Sequence, residues 1–106
     1  MIGVKAWSRG EEYGLTMKGH AEYNPGNDVV CAGSSAIAFA LAGYLHNCGG
    51  HLWGMDCEKL DSGDLELRCT GDEMVGEAYR MAVIGLLQLE AAYPGHVQVE
   101  ADLEGL

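Results

Sequence analysis

The feature that most constrains this chain is a regular exchange between two hydrophobic periods. Ile2, Val4 and Ala6 alternate with Gly3, Lys5 and Trp7; after Gly10-Glu11-Glu12, Tyr13, Leu15 and Met17 alternate with Gly14, Thr16 and Lys18. A period of two marks strands with one buried face, and a short turn between two such runs marks a hairpin. From Val29 to about Asn47 the period lengthens. This stretch lacks proline and sets Val30, Ile37, Leu41, Tyr44 and Leu45 on one helical face. Its many alanines, glycines and serines let it approach a sheet closely. Asp28 caps its start and Gly49-Gly50 ends it. The exchange then repeats. Leu52–Glu58 and Leu65–Thr70 read as a second hairpin around Asp61-Ser62-Gly63-Asp64, and Asp72 caps a second helix from about Glu73 to Ala92. Beyond Pro94-Gly95, Val97, Val99, Ala101 and Leu103 alternate with polar residues in a final strand. The order ββαββαβ predicts an α+β fold: an antiparallel or mixed sheet with two helices on one face. A length of 106 residues suits a single domain over 1–106.

Six Lys and Arg stand against sixteen Asp and Glu, a formal net charge of −10. Phosphate backbones repel such a surface, which argues against direct nucleic-acid binding. A basic peptide or protein is steered toward it. Met1–Gly10 has no apolar run of signal-peptide length, and no stretch reads as a membrane span. These features predict a cytosolic chain whose four cysteines, Cys31, Cys48, Cys57 and Cys69, are reduced thiols.

The chemistry concentrates in Gly19–Leu41. His20 ends the second strand, and Ala21–Asn27, reading AEYNPGN, is a loop of breakers. Cys31 falls in the first turn of the helix, three residues after Asp28. Unpaired N–H groups and the positive end of the helix dipole favour a thiolate there. A thiolate attacks carbonyl carbon, and the same N–H groups can hold the resulting oxyanion. His20 serves as its proton partner if the loop folds back. Gly19 and Gly26 permit close backbone approach or hinge motion. The plain reading stands beside this one: a cysteine in a helix is commonly a small core residue, and an Asp before a helix is commonly a cap.

Gly19-His20-Ala21, a short loop, Gly26-Asn27-Asp28-Val29-Val30-Cys31-Ala32 and then Ser35-Ala36 together resemble the ribosomal-processing cysteine proteases called Prp. The resemblance covers essentially the whole chain in length and element order. It implies His20 as catalytic base, Cys31 as nucleophile, and Asp28 and Ser35 as supporting motif residues, with Gly19 and Gly26 flanking them. It also implies removal of the N-terminal extension of a large-subunit ribosomal protein, the twenty-seventh in the usual naming. A homodimer, a mobile loop that closes over substrate, and no metal or organic cofactor complete the picture. Val29 stands where the family has isoleucine, and Pro25 stiffens the loop.

Two rival functions come from other classes. Cys48-Gly49-Gly50-His51, with Cys57 and Cys69, could compose a zinc set, although no Cys-x-x-Cys occurs. A non-catalytic acidic adaptor could bind a basic ribosomal protein. His46, His51 and His96 carry no motif and read as solvated or capping residues. Trp7 and Trp53 read as packing on the sheet. Met81–Leu87, MAVIGLL, is apolar all round and calls for cover from a second subunit, with Val83 or Leu87 at the seam.

Overall fold

A computed structural model describes residues 1–104. Its elements are β1 (Ile2–Arg9), β2 (Glu12–Lys18), α1 (Val29–Asn47), a short 3-10 turn (Gly49–His51), β3 (Leu52–Asp61), β4 (Asp64–Gly71), α2 (Glu73–Ala92) and β5 (Val97–Leu103). The sheet runs β3-β4-β2-β1-β5. It is mixed: β5 lies parallel to β1, and every other pairing is antiparallel.

Local chemistry explains the elements. The β1–β2 hairpin turns at Gly10, whose φ of +59° suits a residue without Cβ. Along β1, Ile2, Val4, Ala6 and Ser8 are buried while Gly3 and Lys5 face outward. The Asp28 and Asp72 carboxylates accept first-turn N–H groups of α1 and α2 respectively, as the cap positions require. Buried Val30, Ser34, Ala38, Leu41 and Leu45 recur at helical spacing on α1, and Val75, Tyr79, Ala82, Val83 and Leu86 do so on α2. Leu15, Leu45 and Leu86 are almost fully enclosed, and each such side chain contributes roughly 2 kcal/mol of transfer free energy. The buried Tyr79 hydroxyl sits between the carbonyls of Gly14 (2.6 Å) and Trp7 (3.0 Å). Burial pushes its phenol well above the ordinary range.

Three sequence expectations change. By length and apolarity α1, with 19 residues and a mean hydropathy of 1.5, qualifies as a membrane-spanning helix, so one stretch does read as a span. Here its buried face packs within the fold. Trp7 does pack on the sheet, over Gly14, but Trp53 is exposed. The MAVIGLL segment is not uniformly buried: Val83 is 1% exposed and faces the core, whereas Met81 is 72% and Ile84 46% exposed.

Candidate active site

The end of β2, the start of α1 and the β3–β4 turn meet at one place. Gly19 follows β2 with φ +94°, and a Cβ there would lie 2.5 Å from the Met1 carbonyl oxygen. No side chain fits. The Gly19 N–H donates to the Gly63 carbonyl at 2.9 Å, tying the strand end to the β3–β4 turn. His20 is exposed, and its imidazole rests against Gly63: a Cβ on Gly63 would come within 2.6 Å of Nε2. The turn is held from its other side by Asp64, which pairs with Lys18 and Lys59.

Cys31 is half-buried in the first turn of α1. Its Sγ accepts the Ala21 N–H at 3.2 Å. His20 and Cys31 both line two cavities. One, of about 70 Å³, also involves Ile2, Met17, Ser34, Ser35 and the β3–β4 turn. The other, of about 450 Å³, lies beneath Glu22, Pro25, Gly26 and Asp28. No hydrogen bond joins His20 to Cys31 among the described residues, so the two share a cleft without being paired. Catalytic hydrogen bonds often close only when substrate binds.

Asp28 does more than cap the helix. Its Oδ1 accepts from Val30 N–H (2.9 Å) and Cys31 N–H (3.1 Å). Its Oδ2 accepts from Tyr23 N–H (2.9 Å) and Asn24 N–H (3.2 Å). Burial works against the charge, but the N–H groups of Cys31, Asn24, Tyr23 and Val30 outweigh it and hold the carboxyl below its ordinary value. It makes no bond to His20. This also alters the expected oxyanion site. The Val30 and Cys31 N–H groups are engaged by Asp28, and the Ala32 N–H by the Asp28 carbonyl, so the helix start has few donors to spare.

Of the supporting residues, Ser35 lines the smaller cavity and Gly26, at φ +91°, lines the larger. Sequence reasoning missed Ser34, whose buried hydroxyl donates to the Cys31 carbonyl at 3.0 Å. It also missed Gly63 and His96, which topology alone brings here. The zinc set is not assembled. Among the described residues no three His, Cys, Asp or Glu side chains form a metal-binding group. Cys48, Cys57 and Cys69 are free thiols, and His51 instead pairs with Asp72 at 2.6 Å.

Comparison with known proteins follows the same line. A crystal structure of the essential ribosomal processing protease Prp from S. aureus, in complex with a covalently linked product peptide, superposes with a TM-score of 0.79 at 20% identity, covering 96% of this chain and 100% of that one. SMU.848 from Streptococcus mutans gives a TM-score of 0.76 at 20% identity, covering 98% and 96%. The S. aureus protease with a substrate peptide gives 0.69 at 21% identity, covering 96% and 100%. No curated protein matches the chain. A family profile described as cysteine protease Prp matches residues 1–98, and the chain therefore belongs to the Prp family of cysteine proteases.

Proposed function

We propose that this protease removes the N-terminal extension of a large-subunit ribosomal protein precursor, the twenty-seventh, with Cys31 as nucleophile and His20 as general acid and base. The observation that carries the site assignment is that the His20 imidazole and the Cys31 thiol line the same two cavities. The substrate reading rests on the family and on the S. aureus protein described as a ribosomal processing protease. The acidic-adaptor reading gives way to membership of a protease family.

His20 takes the Cys31 proton, and the sulfur adds to the scissile carbonyl carbon. The imidazolium then gives that proton to the leaving amine as the C–N bond breaks, which leaves a thioester. Water, deprotonated by His20, attacks the thioester; the C–S bond breaks and the thiol is restored. Incubating the precursor with the protein and measuring intact mass tests this. A shortened product is expected, and an unchanged precursor would overturn the substrate assignment. Such a substrate is met in the cytosol.

The β3–β4 turn fixes the base. Gly63→Ala puts a methyl where the imidazole lies, at a φ of +71°. The left-handed conformation costs about 1 kcal/mol or more. Displacement of His20 is expected to lower kcat by roughly tenfold to a hundredfold. Thermal melts and steady-state kinetics separate the two effects.

We propose further that the protein is a homodimer joined through α1 and α2. Ile37, Ala40, Tyr44, Ala78, Met81 and Gly85 line an apolar groove of about 280 Å³ between the helices, beside exposed Met81, Ile84 and Leu87. The charge of −10 opposes self-association, so the contact must be apolar. Ile84→Glu places a charge there and is expected to yield monomers. Val83→Glu tests nothing of the kind, because Val83 lies in the core. Light scattering at micromolar concentration decides; a monomeric wild type would remove the interface.

A further inference from the structure

We propose that His96 is a positioning residue for the nucleophile, acting through the backbone of Ala21. The inference rests on the Cys31 assignment above. His96 immediately precedes β5, far from the motif in sequence, and its backbone is pinned on both sides. Its N–H donates to the Tyr93 carbonyl at 3.1 Å, and its carbonyl accepts the Ile2 N–H at 3.0 Å. The imidazole Nδ1 lies 2.9 Å from the Ala21 carbonyl oxygen. A carbonyl only accepts, so Nδ1 carries the hydrogen. The ring stands edge-on to Tyr23, with centroids 5.2 Å apart at 87°.

Ala21 is the hinge of the site. It directly follows His20, its side chain is 1% exposed, and its own N–H points at the Cys31 sulfur from 3.2 Å. One residue is thus held by His96 through its carbonyl and holds Sγ through its N–H. Shifting it moves the base and the sulfur relative to each other, and it removes the hydrogen bond the sulfur accepts. His96 lines neither of the two cavities, and its ring nitrogen bonds the Ala21 carbonyl rather than the thiol, so its role is placement and not chemistry.

Three variants separate the donor from the ring. His96→Asn keeps an N–H near the Nδ1 position; His96→Phe keeps the aromatic packing on Tyr23 and loses the donor; His96→Ala loses both. The readouts are kcat and KM on a peptide spanning the precursor cleavage site, the rate of iodoacetamide modification of Cys31 by peptide mapping, and thermal melts. His96→Phe and His96→Ala are expected to lose about tenfold or more in kcat with KM little changed, as misplacement of reacting groups does. Cys31 modification should slow in the same two variants while Cys57 is unaffected, and His96→Asn should restore both readouts. The proposal is overturned if His96→Phe matches wild type, if His96→Asn is as poor as His96→Ala, or if the losses follow the melts alone. Should wild type leave the peptide uncut, the substrate reading fails, while the modification series still decides the role of His96.

Discussion

Cys31→Ser is expected to abolish precursor cleavage and leave the fold intact. Cys31 is half-buried in the first helical turn, and serine differs from it by one atom, with a hydroxyl oxygen that can accept the Ala21 N–H. Oxygen at this position stays protonated near neutral pH, because a hydroxyl is a far weaker acid than a thiol. Loss of a nucleophile costs at least about 10³-fold in kcat. Intact mass of the precursor and a thermal melt of the variant measure the two halves of the claim. A thiol comparison is independent of substrate. Burial pushes the Cys69 thiol up to about 11, so iodoacetamide should modify it last and Cys31 ahead of it. Should Cys31 prove the slowest of the four, the nucleophile lies elsewhere.

Asp28→Asn is expected to cripple turnover with little change in the melt. As a cap, asparagine replaces aspartate well, because one oxygen can still accept from Val30 and Cys31. The second oxygen is the one that matters. It gathers Tyr23 and Asn24 N–H groups, and an amide would present its own N–H groups to them. The loop between His20 and Cys31 then loses the tie that holds Tyr23 and Asn24 to Asp28. A fall in kcat of roughly tenfold or more is expected, with faster amide exchange at Tyr23 and Asn24. Unaltered exchange at those two amides would refute the loop-tying role. Acid should do the same to the wild type. The folded-state carboxyl is held below the ordinary 3.8, so its contribution is fully present above that value and fades as pH falls through the lower folded value. Loop release is therefore expected only below about pH 3.8.

Much of this fold was legible because its information is local. Both helices begin at an Asp cap and end at the predicted residues, Asn47 and Ala92. The hairpins follow from alternation and from Gly10 and Gly63. β3 runs on to Asp61, beyond the expected Glu58, because Lys59, Leu60 and Asp61 continue the ladder with Glu66, Leu65 and Asp64 of β4 although their side chains are exposed and carry no apolar alternation. The parallel pairing of β5 with β1 has no local signature. The site divides the same way. His20, Asp28 and Cys31 lie within one short stretch, and its resemblance to the Prp motif is what singled them out. Gly63 and His96 do not, since each meets the motif only through tertiary pairing. The doubled role of Asp28 was hidden for another reason: capping explains one oxygen, and nothing in the sequence says what the other binds.

The parallel strand has a kinetic meaning. β1 and β5 join Ile2 to Val97, nearly the full span of the chain, and such long closures make folding slow. β1 and β2 can pair as soon as they are made, but Ala21 gains its anchor only when the segment carrying His96 docks beside Ile2. During synthesis, the alignment of Cys31 proposed above would therefore wait until the segment carrying His96 had docked beside Ile2, and a shorter nascent chain would share the deficit expected of His96→Ala.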